Sequence, residues 1–76
     1  MRLSDLQNKD IVNISDGKKV GNIIDMRIDM SGNIASIIVE PSKRVFKFLG
    51  VREEMEISWK DIEKVGEDVI LIRINL

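Results

Sequence analysis

The sequence predicts an all-β fold, a small antiparallel β-barrel of about six strands with one or two short helical turns. Two observations lead to this prediction: several runs alternate apolar with polar residues, and glycine-containing turn signals separate these runs. A third is that a β-protein of only 76 residues gains most from a closed sheet, which leaves no edges exposed. We expect a single domain covering residues 1–76, with a thin core that buries only about 60% of the unfolded chain's surface.

The beginning of the chain predicts a short helix and the first hairpin. A helical turn is expected at 3–6, with Ser4 as its N-cap, and a first strand at 10–14. Asp16-Gly17 predicts a type I′ turn, because this turn needs positive φ and glycine adopts it without steric cost. Gly21, inside the following strand, indicates a bulge or the close approach of another backbone.

The longest alternating run of the chain follows this hairpin. The alternation assigns one apolar row to the buried face: Ile24, Met26, Ile28 and Met30. The charged residues between them, Asp25, Arg27 and Asp29, are assigned to solvent. Ser31-Gly32-Asn33 then predicts a second hairpin turn, and 34–40 a central strand that Pro41 ends.

The second half predicts three further strands and one helical turn. We expect a strand around 44–49, with Gly50 opening the turn into a strand at 54–59, and a last strand at 69–74. A helical or 3₁₀ turn closed by Gly66 as its C-cap is predicted between the last two strands. It is indicated by three apolar residues spaced three apart, Trp59, Ile62 and Val65.

Charge is distributed unevenly along the chain. The formal net charge is −1, which does not predict general attraction to nucleic acid or to anionic lipid. Residues 41–52 nevertheless carry +4, and residues 53–68 carry −5 because seven acids stand against two lysines. These segments could form a salt-bridged surface, or a bipolar surface that orients copies or partners as they dock.

The residue types that carry most enzyme chemistry are missing. The chain has no cysteine and no histidine, so its serines lack the usual base partner for nucleophilic catalysis. Asp25 and Asp29 could meet a hard cation on one strand face, but Arg27 between them indicates a solvated, self-neutralising surface. We therefore expect no enzyme, no catalytic residue, no cofactor and no metal site.

The basic segment is the best candidate for an interaction surface. It mixes aromatic and aliphatic residues with positive charge, a composition typical of docking sites. The candidate residues are Arg44, Phe46, Lys47, Phe48, Leu49 and Arg52. If the segment is a strand, Phe46 and Phe48 share one face, and whether this face or the opposite one is exposed stays open.

Partners and location are predicted only in outline. The thin core favours pairing with a second copy, so we expect an unidentified protein partner and a homo-oligomer, most simply a dimer. Residues 1–6 lack the apolar stretch of a signal peptide, and no run approaches the roughly 18 apolar residues of a membrane span. We therefore expect a cytoplasmic protein without membrane insertion.

A resemblance to a known family rests on motifs spread over the whole chain. They are Met1-Arg2-Leu3-Ser4-Asp5-Leu6, Asp10-Ile11-Val12-Asn13, Asp16-Gly17 through Gly21-x-Ile23-x-Asp25, Gly32-x-Ile34, Phe48-Leu49-Gly50, and Ile57-x-Trp59-x-x-Ile62-x-x-Val65-Gly66-Glu67-Asp68-Val69-Ile70-Leu71. In these positions the sequence resembles the PRC-barrel family, and within it the small stand-alone proteins of spore-forming bacteria that are associated with sporulation. Each motif consists of turn and core residues rather than of reactive groups.

The resemblance implies a compact β-barrel and a non-enzymatic role. PRC-barrel domains occur in the H subunit of photosynthetic reaction centres and at the C-terminus of the ribosome-maturation factor RimM, where they act in protein association. It therefore implies a protein–protein interaction module with a role in sporulation. The alternative, by analogy with RimM, is a factor associated with RNA or the ribosome, although the charge balance does not favour nucleic-acid binding.

Overall fold

The computed structural model describes residues 2–50 and 53–74, and for residues 48 and 49 it describes the backbone alone. Two short helices and six strands make up most of this part of the chain. In chain order they are α1 (Leu3–Gln7), β1 (Asp10–Asn13), β2 (Lys18–Ile28), β3 (Ile34–Pro41), α2 (Lys43–Leu49), β4 (Met55–Ser58), a 3₁₀ turn (Trp59–Asp61), β5 (Ile62–Val65) and β6 (Val69–Ile72). The predicted all-β class with about six strands is confirmed. Across the described ranges, neither helix approaches the length that a membrane-spanning helix requires.

The six strands form one mixed sheet in the order β4-β3-β2-β1-β6-β5. Four neighbouring pairs are antiparallel, as predicted, whereas β1 and β6 run parallel, with Asp10 opposite Val69 and Asn13 opposite Ile72. Hairpins impose antiparallel pairing, but most of the chain separates β1 from β6. Their relative direction is therefore set by the path of the whole chain rather than by a local turn.

The sheet curls into an open barrel. Its edge strands, β4 and β5, stand at opposite ends of the strand order, yet only the 3₁₀ turn at Trp59–Asp61 separates them in the chain. The sheet must therefore bend until its two edges meet at this turn, although no ladder of hydrogen bonds joins them in the described residues. Irregularities in the pairing of β2 with both neighbours add to the bend, because bulges increase local twist.

The core fills the inside of this curl. It consists of ten buried apolar residues: Leu6, Ile11, Val20, Ile23, Ile37, Val39, Val45, Ile57, Ile70 and Ile72. Six half-buried apolar side chains pack against it: Met26, Met55, Trp59, Ile62, Val65 and Ile74. Each strand except β5 contributes at least one buried apolar residue, so the small core depends on nearly every element.

The first helix and the first turn differ in detail from the prediction. Arg2, not Ser4, is the N-cap of α1, and its backbone N–H donates to the Asp5 carboxylate at 2.9 Å. Gly17 has φ +68°, as expected, but no described residue other than glycine has positive φ, so the predicted type I′ turn is wrong. The connection is instead a longer loop in which the Gly17 N–H donates to the Asn13 carbonyl at 2.7 Å.

The predicted burial of the alternating row in β2 is largely wrong. In the pairing with β3, Ile23 and Asp25 lie opposite consecutive residues, so Ile24 is an extra residue in a bulge. A single inserted residue shifts the alternation from there onward. Ile24 and Ile28 are 37% and 55% exposed, Met30 is fully exposed, and Met26 is the one member of the row that is half-buried.

The strand predicted around 44–49 is wrong, because these residues form α2. Ser42 is the N-cap, and its Oγ accepts a hydrogen bond from the Val45 N–H at 3.3 Å. Gly50 ends the helix in the left-handed conformation, with φ +69°. Strong signals at both ends therefore override the β-forming valine and phenylalanines in between.

The helical turn predicted for 59–65 is present only at its start. The 3₁₀ turn ends at Asp61, and the next residues form β5, which pairs with β6 through Ile62 and Ile72. Gly66 does not have positive φ and is not a helix C-cap. Its N–H donates to the Val69 carbonyl at 2.7 Å, so it belongs to the turn between β5 and β6.

Candidate interaction surface

Helix α2 is fixed firmly to the sheet at its N-terminus. The Ser42 N–H donates to the Val20 carbonyl at 2.7 Å, and the Ser42 hydroxyl donates to the Lys19 carbonyl at 3.1 Å. One turn further on, Val45 is completely buried in the core. Ser42 and Val45 therefore attach the helix to β2 and define which side faces outward.

The outward side carries an aromatic ring between two positive charges. Lys43, Phe46 and Lys47 are exposed and occupy positions i, i+3 and i+4, which lie on one face of a helix. Phe46 is 48% exposed, a large fraction for an aromatic residue in a chain with three aromatic residues. We refer to these three residues as the α2 outer face.

Arg44 lies on a different side of the helix. Its Nη2 is 3.3 Å from Asp16 Oδ2, and Asp16 belongs to the loop between β1 and β2. Both side chains are about one-third exposed. Arg44 therefore joins α2 to the hairpin loop instead of extending the outer face.

The structure does not place the six predicted interaction residues on one common surface. Phe46 and Lys47 lie together on the α2 outer face, while Arg44 is turned toward Asp16. The backbone of Phe48 and Leu49 belongs to α2, but their side chains, like the whole of Arg52, lie outside the described residues. The expected grouping by strand faces does not apply, because residues two apart in a helix do not share a face. Lys43 joins the surface instead.

A shallow, acidic depression lies beside the helix. It has a volume of about 690 Å³ and is open to solvent. Among the residues that the structure describes, its lining combines two apolar residues with three glutamates: Ile24, Pro41, Glu40, Glu53 and Glu54. Pro41 directly precedes the N-cap of α2, so the depression and the outer face are neighbours on the surface. We call these five residues the acidic depression.

Sequence reasoning found only part of this depression. The acidic character of residues 53–68 was visible, and Glu53 and Glu54 belong to that segment. Ile24 and Glu40 come from strands β2 and β3, and Ile24 points outward only because of its bulge. No pattern within one segment could have brought these residues together.

Ser36 takes part in a cross-strand contact with a carboxylate. Ser36 Oγ donates to Glu56 Oε2 at 2.6 Å, and the same carboxylate oxygen is 3.3 Å from Arg27 Nε. These residues come from β3, β4 and β2 respectively. The Glu56 carboxylate therefore ties the three strands together through Ser36 and Arg27.

The carboxylates of Asp25, in β2, and of Asp29, just after β2, accept hydrogen bonds from the backbone. Asp29 Oδ1 accepts hydrogen bonds from the Ser31 and Asn33 N–H groups, both at 2.9 Å, and so organises the turn before β3. Asp25 Oδ1 accepts from the Met26 N–H at 2.8 Å. Among residues 2–50 and 53–74, no three groups of metal-binding type lie close enough to hold an ion.

The curled sheet and its small core are those of a compact β-barrel domain. The chain belongs to the PRC-barrel family, since the family model for the PRC-barrel domain matches residues 1–75. The resemblance inferred from the motifs is therefore confirmed.

Curated relatives share most of their length with this chain. It is 46% identical over 74 residues to the probable sporulation protein YlmC of Bacillus subtilis strain 168, covering 96% of this chain and 91% of the relative. It is 33% identical over 67 residues to the uncharacterized protein CA_C1697 of Clostridium acetobutylicum, covering 88% and 77%. It is 29% identical over 77 residues to the uncharacterized protein YmxH of Bacillus subtilis, covering 97% and 89%.

Proposed function

We propose that this chain is a non-enzymatic protein–protein interaction module that acts in the cytoplasm during sporulation and that works as a homodimer. The observation that carries the proposal is the α2 outer face, where Phe46 stands exposed between Lys43 and Lys47. Aromatic residues are enriched at protein interfaces, where the ring supplies buried area. The flanking positive charges orient an approaching partner.

The way α2 is held supports a binding role. The helix is short, but it has a cap at each end, Ser42 and Gly50, and buried Val45 fixes its inner face to the core. A restrained helix loses little conformational entropy when it binds, so even a small surface can give useful affinity. The exposed phenylalanine is thus presented on a preorganised element.

The link to sporulation comes from the relatives. The protein that is 46% identical over nearly the full length carries the name of a probable sporulation protein. Similarity of this extent makes a shared process a reasonable proposal for this chain.

An RNA-associated role has less support. The α2 outer face contributes two lysines and one ring, and Arg44 is already 3.3 Å from Asp16. The acidic depression adjoins this face and would repel a phosphate backbone. A titration with single-stranded RNA at low salt tests the alternative, and binding that weakens steeply with salt would favour it.

The test is complementation in Bacillus subtilis. A strain that lacks its YlmC protein receives this chain, either unchanged or with Phe46→Ser, and heat-resistant spores are counted. Met30→Ser is the matched control, because Met30 is also apolar and fully exposed but lies at the tip of the β2–β3 hairpin. We expect the unchanged chain and the Met30 variant to restore spore formation and the Phe46 variant to fail.

Two results would contradict the proposal. Normal spore counts in the deleted strain would separate this family from sporulation. Full complementation by the Phe46 variant, at an expression level equal to that of the unchanged chain, would exclude the α2 outer face as the functional surface.

A further inference from the structure

We infer that the occupant of the acidic depression is the α2 outer face of a second copy of this chain, and that the contact is reciprocal, giving a two-fold symmetric dimer. The inference rests on the proposed function and deepens it, because it names the partner of the same surface and the receptor to which that surface binds.

The two surfaces are complementary in charge and in polarity. The α2 outer face presents Phe46 between two lysines, while the acidic depression presents Ile24 and Pro41 among three glutamates. A ring between two cations thus faces two apolar residues accompanied by carboxylates. Within residues 2–50 and 53–74, no lysine or arginine contributes to the lining of the depression.

Their arrangement on the surface suits two-fold symmetry. In a two-fold dimer the same patch of both copies forms the interface, so the patch must be complementary to itself. Here Pro41 of the depression is separated from Lys43 of the helix only by the N-cap Ser42. Basic and acidic halves therefore share one patch, and a two-fold axis between the halves brings unlike charges together twice.

The apolar contact and the charges have different roles. Exposed ion pairs contribute little affinity singly, so the burial of Phe46 against Ile24 and Pro41 supplies most of the attraction. The charges disfavour other orientations of the two copies, since a shifted dimer would bring the lysines of one copy against those of the other. Association should consequently weaken, but not vanish, as the salt concentration rises.

A charge exchange tests this arrangement. The acidic variant carries Lys43→Glu and Lys47→Glu, which makes the whole patch negative. The basic variant carries Glu53→Lys and Glu54→Lys, which leaves Glu40 as the remaining carboxylate of the depression. Sedimentation velocity measures association of the unchanged chain, of each variant and of their equimolar mixture.

We expect the unchanged chain to dimerise and each variant to bind itself at least about tenfold more weakly, because like charges face each other. The mixture should restore dimers, since an acidic patch then meets a basic one. The matched control, Lys60→Glu with Lys64→Glu, makes the same charge change at two exposed residues outside the patch and should dimerise like the unchanged chain. Circular dichroism verifies that every variant folds.

Three results would overturn the inference. These are an unchanged chain that stays monomeric up to about 1 mM, variants that still dimerise alone, and a mixture that fails to associate. The second would place the interface elsewhere, for example at the edge strand β4.

The two proposals can fail separately. A monomeric chain whose Phe46→Ser variant still fails in the spore assay overturns the dimer and leaves the interaction module standing. The expected charge exchange, together with full complementation by Phe46→Ser, supports the dimer and contradicts the role of this surface in sporulation.

Discussion

The Glu40 carbonyl oxygen occupies the space next to Gly21 where any other residue would carry its β-carbon. A β-carbon at position 21 would overlap this oxygen and would lie 2.8 Å from Val39 Cγ1. Gly21 lies opposite Ile11 of β1 and Pro41 of β3, at a point where β2 passes between both neighbours. Because Glu40 and Pro41 line the acidic depression, this close approach also positions the candidate site.

Gly21→Ala should therefore destabilise the fold strongly. The clash involves backbone atoms of a paired strand, which cannot move away as a flexible side chain could, and we expect a loss of about 3 kcal/mol or more in the free energy of unfolding. Urea denaturation measures it. In the control, Gly32→Ala, the added carbon meets no atom within 4 Å and the cost comes from φ +86° alone, about 1–2 kcal/mol. An equal cost for both variants would contradict the close approach.

Ser42→Ala should loosen α2. The substitution removes the acceptor for the Val45 N–H and the donor to the Lys19 carbonyl, and the loss of an N-cap costs about 1–2 kcal/mol. Thermal unfolding followed by circular dichroism measures the change. Ser42→Thr keeps the hydroxyl and should remain close to the unchanged chain. A Thr variant as unstable as the Ala variant would show that the hydroxyl is not what holds the helix.

The Arg44–Asp16 pair should contribute only modestly to stability. Both side chains are partly exposed, so a double-mutant cycle with Arg44→Ala and Asp16→Asn should give a coupling of about 0.2–1 kcal/mol. Asparagine is chosen because Asp16 Oδ1 also accepts from the Lys18 N–H at 2.9 Å. The coupling should fall in 1 M salt, where the screening length is about 3 Å. A coupling that does not respond to salt would argue against an ion pair.

Asp10 should make stability depend on pH at the acid end. The hydrogen bond from Lys19, 3.0 Å away, and a second one from Asn22 hold the pKa of this carboxyl below its usual value. Since the folded pKa is the lower one, the contribution is complete above the unfolded pKa of about 3.9 and is lost as the pH falls through the folded pKa. Asp10→Asn should thus lower stability at pH 7, and the difference from the unchanged chain should shrink in acid. A constant difference would exclude this linkage.

The sequence alone predicts the elements that depend on local patterns. The turn at Ser31-Gly32-Asn33 and the first strand are where glycine and β-branched residues indicate them. The sequence also contains the signals for helix α2, because Ser42 and Gly50 are typical N-cap and C-cap residues at the two ends of a seven-residue segment. The aromatic and β-branched residues between them favoured the strand interpretation instead.

The remaining features depend on contacts between distant segments. The bulge at Ile24 follows from pairing β2 with β3, and within β2 itself the row from 24 to 30 alternates without interruption. Strand β5 replaces the second part of the predicted helical turn because Ile62 and Val65 pair with residues of β6 in the sheet. The acidic depression likewise unites β2, β3 and the residues before β4, and tertiary structure alone brings these together.

Site-specific photo-crosslinking in sporulating cells tests whether the α2 outer face is the binding surface. A photoreactive phenylalanine analogue replaces Phe46 in one version of the chain and Met30 in another, both being exposed apolar positions. We predict a crosslinked product from position 46 and none from position 30. No product from position 46, or equal products from both positions, would show that the α2 outer face is not the binding surface.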